Sequence, residues 1–347
     1  MRAARYYGKK DIRVEEVPIP KPGPNQCLIE IEWCGICGSD LHEYIMGPVM
    51  FQPGITIGHE FCGRVKEAPR GSKLQIGQAV MIDPRVVCSS CSPCKRSNDH
   101  CCQKLGFLGC SPTPGGGGLS EFVAADEDML YPLPDTIGLD YAAIIEPLVV
   151  AYHAIKTVPT LEGLDVLILG GGPIGLAVAI VLQAEKVKSI SVSEPAEARK
   201  AQAKGLVDRV IDPTSVKVGD VLREATDGKG VDIVFDCAGV PAGLDTAFDS
   251  VTQGGTYVSV ALWEKPFTIP FLNFLFKEVT ILASCCYNRA DFAAVMKVIG
   301  EGKYNGYEKL VTSRIPLEDV SKGFEELVNN KDNQIKIMIS PKLRAST

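Results

Sequence analysis

The chain has 347 residues, of which 46% are hydrophobic and 22% are charged, and its formal net charge is −6. This length allows two domains with a substantial core in each. The negative charge argues against nucleic acids and anionic membranes as partners, because both bind basic surfaces. No apolar run approaches a membrane span or a signal peptide. We therefore expect a cytoplasmic protein, in which clustered cysteines are more typical of metal ligands than of disulfides.

Short apolar runs broken by glycine and proline fill the first ~145 residues, which predicts β-strands with long connections. The strand candidates there are 27–35, 63–68 and 78–83. From Asp165 onward strands and helices alternate, which predicts a parallel sheet covered on both faces. The candidates are strands 165–170, 189–194, 209–212, 231–239, 255–262 and 278–284, with helices 173–187 and 195–204. Helices 291–302 and 317–330 and a strand 334–340 follow, and the glycine run 112–118 predicts a flexible loop.

The densest motif is CSSCSPCKRSNDHCC at 88–102, which holds five of the 13 cysteines. Closely spaced thiolates in one loop can bind a tetrahedral Zn²⁺, and four of them would fill every coordination position, as in a structural site. Three cysteines have the spacing C-x2-C-x2-C: Cys88, Cys91 and Cys94. The candidates for the fourth ligand are His100, Cys101 and Cys102.

A second group of metal-ligand candidates lies upstream, in CGICGSDLH (34–42) and GHEFCG (58–63). A catalytic zinc needs about three protein ligands and an open position. Cys37 and His59, with Glu60 beside it, can provide them if a turn brings the segments together. A lone histidine is more often a core residue than a ligand, and the other cysteines of both segments can be packing residues.

The sequence LGGGPIGL carries the pattern G-x-G-x-x-G between a predicted strand and a predicted helix. The glycines permit a tight turn, close approach of the backbone to a pyrophosphate and close packing of the helix, whose N-terminus supplies amide donors. Glu194 ends the next strand, where a carboxylate binds ribose hydroxyls and repels a 2′-phosphate, so NAD is favoured over NADP. Arg199 could flank the ribose or accept a phosphate. The predicted cofactor residues are Gly170, Gly172, Pro173, Ile174, Gly175, Glu194 and Arg199.

One further histidine and five further cysteines are interpreted as packing residues, because free cysteine is commonly buried. These are His153, Cys27, Cys110, Cys237, Cys285 and Cys286.

Taken in order, these segments resemble the zinc-dependent medium-chain alcohol and polyol dehydrogenases over essentially the whole chain. The resemblance runs through CGICGSDLH, GHEFCGRV, the cysteine loop, EPLVVAYHAI and LGGGPIGL. The run CCQKLGFLGCSPTPGGGGLSEF is most similar to the butanediol dehydrogenase branch, with sorbitol and xylitol dehydrogenases next. The implied fold class is α/β, with a mainly-β GroES-like catalytic domain at 1–150 and 286–347. A Rossmann domain, a doubly wound parallel sheet that binds NAD, would occupy 151–285.

The resemblance also implies roles for individual residues. The residues at the catalytic zinc would be Cys37, His59, Glu60 and Glu146. Glu60 could bind the metal or lie just behind it, and Glu146 could bind the metal or hold the water on it. The catalytic set would be Ser39, which touches the substrate oxygen, His42, which passes the proton outward through the cofactor ribose, and Glu146. The structural-zinc spacing of the family selects Cys88, Cys91, Cys94 and Cys102 and leaves Cys101 out.

We therefore expect an NAD-dependent oxidoreductase with two zinc ions per chain, one catalytic and one structural. Its substrate would be a small diol or hydroxyketone, with 2,3-butanediol and acetoin as the pair, and relatives imply a homodimer or homotetramer. One alternative is a sorbitol- or xylitol-type polyol dehydrogenase with the same site. Another is a non-catalytic protein that binds a nucleotide and zinc, which the complete open-site ligand set disfavours.

Overall fold

The computed structural model describes residues 1–112, 115–263, 266–330 and 332–344. The chain divides into two compact units. The first unit comprises Met1–Glu146, Tyr287–Lys303 and Val311–Thr347, and the second comprises Pro147–Cys286 and Tyr304–Leu310. Among the described residues, no helix has the length and apolar character needed to cross a membrane.

The first unit is mainly β-structure. Its strands are β1 (Arg2–Gly8), β2 (Asp11–Glu16), β3 (Gln26–Gly35), β4 (Ile55–Thr56), β5 (Glu60–Glu67), β6 (Ala79–Ile82), β7 (Arg85–Val86), β8 (Gly106–Phe107), β9 (Phe122–Asp126), β10 (Leu130–Pro132), β17 (Val311–Pro316) and β18 (Lys336–Ser340). Its helices are α1 (Gly38–Met46), α2 (Ser92–Lys95), α3 (Leu139–Ala142), α10 (Arg289–Gly300) and α11 (Val320–Asn329).

The second unit alternates strands and helices. Its strands are β11 (Asp165–Leu169), β12 (Ser189–Ser193), β13 (Arg209–Ile211), β14 (Val231–Asp236), β15 (Val251–Ser259) and β16 (Thr280–Ala283). Its helices are α4 (Ile145–Lys156), which begins at the unit boundary, α5 (Pro173–Gln183), α6 (Glu197–Ala203), α7 (Val218–Ala225), α8 (Pro241–Ser250) and α9 (Phe271–Phe276).

Strand β3 organises the main sheet of the first unit, because it pairs antiparallel with β5, β9 and β18. The strand order of this sheet is β10-β6-β5-β3-β18-β17, with β9 also on β3. In the β3–β5 register Gly35 lies opposite Glu60. The residues that follow β3 and those that precede β5 are therefore brought to the same end of the sheet.

Alternating side chains of these strands form the core of the first unit, as expected for a sheet with a buried face. Ile29 and Ile31 of β3 and Phe61 of β5 are fully buried in it. Helix α11 covers this core with Val320 and Phe324, four residues apart and hence on one face of the helix.

The second unit is built on a parallel six-stranded sheet with the order β13-β12-β11-β14-β15-β16. The order reverses between β11 and β14, and in open α/β sheets ligands bind at such a switch point, at the carboxyl ends of the strands. All five residues of β11 are buried, which explains the apolar run that follows Asp165 in this strand.

Two sequence-based expectations differ from the structure. Helix α5 ends at Gln183 rather than at residue 187, because Lys186 and Lys188 pair through their backbones with the turn before β11. The flexible loop predicted at 112–118 includes residues 113–114, which lie outside the described residues, but Gly117 and Gly118 are buried. A Cβ atom at Gly118 would lie 2.5 Å from the Phe61 side chain, so this part of the run is packed.

Candidate active site

Three side chains of the types that bind zinc meet at the end of the β3–β5 pair. Cys37 precedes the first residue of α1, His59 directly precedes β5, and Glu60 begins it. One ligand atom from each lies within 4.8 Å of those from the other two. The β3–β5 register accounts for this meeting, since it places Gly35 opposite Glu60.

Asp40 fixes the geometry of this cluster, and sequence reasoning missed it. Its Oδ2 accepts a hydrogen bond of 2.9 Å from the backbone N–H of Cys37, and its Oδ1 lies 3.5 Å from His59 Nδ1. Asp40 is only 1% exposed. A carboxylate on the far nitrogen of a metal-binding histidine orients the ring. The sequence pattern that could have revealed Asp40 is an acidic residue three positions after the residue that caps helix α1.

His59 presents its other nitrogen to the open side of the cluster. His59 Nε2 lies 3.4 Å from Ser39 Oγ, and Nδ1 lies 3.0 Å from Cys110 Sγ. Cys110 packs against the core as predicted and also contacts His59, because the glycine-rich segment that follows it folds back over residues 56–58.

Charge around His59 fits a bound cation. Burial lowers the pKa of His59, but Cys110, Asp40 and Cys37 raise it more, so the net pKa lies well above its ordinary value. The groups that favour a proton on this buried ring would equally favour a divalent metal ion. The donor set of sulfur, nitrogen and oxygen, with one side left to Ser39, fits zinc with an open coordination position.

Glu60 is held by a lysine from the other end of the chain. Lys336 Nζ donates to both carboxylate oxygens of Glu60, at 2.7 and 2.6 Å, and to the carbonyl oxygen of Ile36 at 3.1 Å. Both side chains are 1% exposed. Burial lowers the pKa of Lys336, but Glu60 raises it above its ordinary value. Sequence reasoning missed this lysine, whose only signal is its position as the one charged residue of the apolar strand β18.

Glu146 lies near this cluster but outside the group of mutually close ligand atoms. It is 5% exposed, in the first turn of α4. Burial raises its pKa to about 7, and Glu60 also raises it, whereas His59, Tyr287 and Lys336 lower it. Of the four residues predicted at the catalytic zinc, three have ligand-type atoms close together, and the fourth is a neighbouring buried carboxyl group.

Buried Arg85 connects the surroundings of Glu146 to the cysteine loop. Its guanidinium binds both oxygens of Asp83, at 3.0 and 2.6 Å, and donates to Asp99 of the loop at 3.0 Å. It also donates to the carbonyl oxygen of Tyr287 at 2.5 Å and lies over the ring of that residue. Tyr287 is fully buried and interacts with Glu146.

The cysteine loop brings four sulfur atoms within 4.8 Å of one another, those of Cys88, Cys91, Cys94 and Cys102. Cys91 Sγ lies 3.4 Å from Cys94 Sγ and 3.9 Å from Cys102 Sγ. Thiolates bound tetrahedrally to zinc are about 3.8 Å apart, so the arrangement fits that metal. Backbone N–H groups of Cys88 and Lys104 donate to Cys102 Sγ at 3.3 and 3.4 Å, and Cys101 is exposed outside the cluster.

The glycine-rich turn has the geometry that dinucleotide binding requires. Gly170 follows β11 with a φ of +91°, and Gly172 precedes α5, which Pro173 and Ile174 open. A Cβ atom at Gly175 would lie 1.9 Å from the carbonyl oxygen of Gly170, so the helix packs closely on the turn.

Glu194 lies beside this turn, where it was predicted. It is 3% exposed and accepts hydrogen bonds from the backbone N–H groups of Gly171 and Ala196, at 2.6 and 2.8 Å. Arg199 of α6 reaches the same turn, since its Nη1 would lie 3.7 Å from a Cβ atom at Gly172. The half-buried His42 lies on α1, three residues after Ser39.

Comparison with known proteins places the chain in a family. Residues 23–135 match the alcohol dehydrogenase GroES-like domain, and residues 173–301 match the zinc-binding dehydrogenase domain. The chain is 37% identical to a Neisseria gonorrhoeae (R,R)-butanediol dehydrogenase, over 99% of this chain and all of the relative. A probable D-xylulose reductase A of Emericella nidulans is 28% identical over 95% of the chain and 93% of the relative.

The crystal structure of 2R,3R-butanediol dehydrogenase from Bacillus subtilis superposes with a TM-score of 0.88 at 35% identity, covering 98% of this chain and 99% of the other. The chain therefore belongs to the zinc-binding dehydrogenases of the alcohol dehydrogenase family. It is an alcohol dehydrogenase-type enzyme, and the predicted family and α/β fold class are confirmed.

Replacing Lys336 with methionine removes the partner of a buried carboxylate. In the zinc-free protein, we expect the variant to lose about 3–5 kcal/mol of unfolding free energy, because the buried Glu60 carboxylate is left charged without its lysine partner. Lys342→Met is the matched control, since Lys342 is 40% exposed in its ion pair with Glu32 and such pairs contribute less than about 1 kcal/mol. Urea unfolding measures both, and equal losses would contradict the importance of the buried pair.

Proposed function

We propose that the protein transfers a hydride between NAD and a secondary alcohol, with 2,3-butanediol and acetoin as the substrate pair. The observation that carries this proposal is the cluster of Cys37, His59 and Glu60 beside the Ser39 hydroxyl. Full-length similarity to a butanediol dehydrogenase supports the substrate. The first unit would provide catalysis and the second would bind the cofactor, as the sequence predicts.

Cys37, His59 and Glu60 would hold the catalytic zinc, whose chemistry is Lewis-acid stabilisation of negative charge on a substrate oxygen. Ser39 Oγ, 3.4 Å from His59 Nε2, would accept the proton of the substrate alcohol and pass on its own. His42 follows on the same face of α1, because residues three apart on a helix are neighbours. Its imidazole would carry the proton toward solvent, since one ring nitrogen can accept a proton while the other donates one.

Glu146 would give the site its preference for a vicinal diol. This buried carboxyl group can accept a hydrogen bond when it is charged and donate one when it is protonated. It could therefore bind the second hydroxyl of the diol and, after oxidation, the same group of the hydroxyketone. A monohydric alcohol would leave Glu146 without this contact, which costs binding free energy at a buried polar group.

The glycine turn and the N-terminus of α5 would bind the cofactor pyrophosphate, and the nicotinamide supplies the hydride acceptor. Glu194 already binds two backbone N–H groups, but a carboxylate has about four acceptor sites, so it can still receive ribose hydroxyls. Its charge disfavours a 2′-phosphate even with Arg199 nearby. A larger kcat/KM with NADP than with NAD would contradict this assignment.

Cys88, Cys91, Cys94 and Cys102 would bind a second zinc that stabilises the loop and takes no part in the reaction. Four thiolates complete a tetrahedral shell and leave no position for a substrate. Thiolate ligands need a reducing compartment, which supports the cytoplasm as the place where the protein works.

A homodimer through the outer edge of the second unit is proposed, with a homotetramer as the larger alternative. In the described sheet β16 pairs with β15 alone, and an unpaired strand edge is a template for another copy. Apolar side chains on neighbouring α9 are exposed, with Phe276 at 71% and Leu272 at 64%. A patch of this kind marks an interaction surface. Sedimentation velocity measures the assembly, and a monomer at micromolar concentration would contradict it.

A polyol dehydrogenase is the second candidate function, and the similarity to a probable D-xylulose reductase supports it. Both candidates use the same zinc ligands and differ in the length of the substrate. Comparing kcat/KM for 2,3-butanediol with that for sorbitol and xylitol separates them.

The activity is tested by following NADH absorbance with both butanediol stereoisomers, acetoin and several polyols. We expect one butanediol isomer to give the highest kcat/KM. His59→Ala should reduce turnover at least about 1,000-fold, because the metal loses a ligand, while NAD affinity stays within a few fold. Titration calorimetry with NAD is the control for folding, and full activity in the variant would refute the ligand assignment.

Substitutions of the adjacent residues Cys101 and Cys102 test the number of zinc ions bound per chain. Cys102→Ser should lower the zinc content from two ions to one per chain and lower the melting temperature, because the sulfur lies within the four-cysteine cluster. Cys101→Ser should keep two zinc ions, since Cys101 is exposed outside the cluster. Metal analysis by mass spectrometry measures both, and equal zinc loss in the two variants would show that the ligand set is different.

A further inference from the structure

Two adjacent cysteines, Cys285 and Cys286, follow the end of β16 in the second unit. Their sulfur atoms lie 3.5 Å apart, and the side chain of Cys285 is exposed. Neighbouring side chains of an extended chain point to opposite faces, which ordinarily keeps adjacent sulfur atoms well separated. The interpretation of Cys285 as a buried packing residue was wrong, because its side chain is exposed, whereas Cys286 is half-buried. The close approach of the two sulfur atoms points to a local backbone feature.

That feature is the φ of Cys286, which is +59°. A positive φ is uncommon outside glycine. The other described non-glycine residues that adopt it are all polar: Lys10, Ser89, Ser97, Asp227 and Glu278. A residue held in this region carries a conformational cost that its surroundings must offset. In Cys286 the unusual backbone coincides with a sulfur–sulfur contact that an extended chain would not allow.

Cys285 has the chemistry of an attacking thiol. The hydrogen bond with Cys286 lowers the pKa of Cys285 most, burial raises it, His153 lowers it, and the resulting pKa is about 6. A thiol with such a pKa is mainly thiolate at neutral pH, and the thiolate is the form that attacks peroxides. An exposed thiolate beside a second thiol is the arrangement of redox-sensitive cysteine pairs.

We propose that Cys285 and Cys286 form a modification site, a vicinal dithiol that hydrogen peroxide oxidises reversibly to a disulfide between adjacent residues. The Cys285 sulfur attacks one peroxide oxygen, the O–O bond breaks, and a sulfenic acid and hydroxide form. The Cys286 thiol then attacks the sulfenic sulfur, an S–S bond forms, and hydroxide leaves. Two electrons pass from the two thiols to the peroxide, and the two thiol protons end in two water molecules.

The two sulfur atoms are already in contact before the reaction. They must close from 3.5 Å to about 2.05 Å for the bond to form. The next residue, Tyr287, is fully buried and bound through its carbonyl oxygen to Arg85, so the chain is anchored immediately beyond the pair.

A second pair of adjacent cysteines, Cys101 and Cys102, serves as a comparison for the pair at 285–286. Cys102 has a φ of −56°, and its sulfur lies in the four-cysteine cluster, whereas Cys101 is exposed outside it. Adjacency in sequence is therefore the same in both pairs, and the backbone conformation differs. We expect only the pair at 285–286 to form a disulfide under mild oxidation.

The test treats the zinc-loaded, full-length protein with a small excess of hydrogen peroxide and measures tryptic peptides by mass spectrometry. The peptide 278–289 contains both cysteines and should lose about 2 Da, with full recovery after dithiothreitol. The peptide 97–104 contains the comparison pair and should keep its mass. In Cys286→Ser the 278–289 peptide should instead gain about 16 Da at Cys285, and a cyclic diketone should trap this sulfenic acid.

Three results would overturn the proposal. The first is oxidation of Cys285 in the natural protein to adducts of about 16, 32 or 48 Da without the loss of 2 Da. The second is the same product in the natural protein and in Cys286→Ser. The third is a disulfide in peptide 97–104 at a peroxide dose that leaves 278–289 unchanged. None of these readouts uses the dehydrogenase activity, so they stand apart from the proposed function.

Discussion

Glu60 and Lys336 form an ion pair that is so deeply buried that an unpaired charge on either side chain would be strongly unfavourable. Both are 1% exposed, and both carboxylate oxygens accept from the same ammonium group. Removing a charge from water costs several kcal/mol, which only a close partner offsets. The first residue of β5 and the first residue of β18 are thereby held together across the central strand β3, next to Cys37 and His59. The candidate metal site depends on this pairing.

A helix terminus supplies the second constraint on the site. Asp40 binds the backbone N–H of Cys37, the residue that precedes α1, and the same carboxylate lies against His59. One acid thus fixes the start of the helix and the orientation of the ring. The sulfur of Cys37 lies at the positive end of the helix dipole, and Ser39 follows in the first turn. The candidate metal ligand Cys37, the hydroxyl group of Ser39 and the carboxylate of Asp40 therefore come from four consecutive residues, CGSD.

Local patterns predicted the features that depend on neighbouring residues. The strand–glycine–helix sequence predicted the turn at 170–175, because the tight φ at Gly170 and the contact at Gly175 are properties of one short segment. The C-x2-C-x2-C spacing likewise predicted three members of the four-sulfur cluster. Lys336, Tyr287 and Arg85 were missed, because partners of these residues lie up to 300 residues away and no local rule relates them. Cys285 was misjudged, because composition does not reveal the exposure of a side chain.

The sequence by itself determined the fold class through its apolar periodicity, the family through the resemblance of its motifs, and the residue types of both candidate metal sites through their short-range spacing. The tertiary structure decided which of those residues meet. It placed Glu146 outside the group of three close candidate ligands, brought Cys110 into contact with His59, and paired Glu60 with Lys336. The physical reason is that burial and long-range pairing set the charge and position of these groups, and both arise only when distant strands join one sheet.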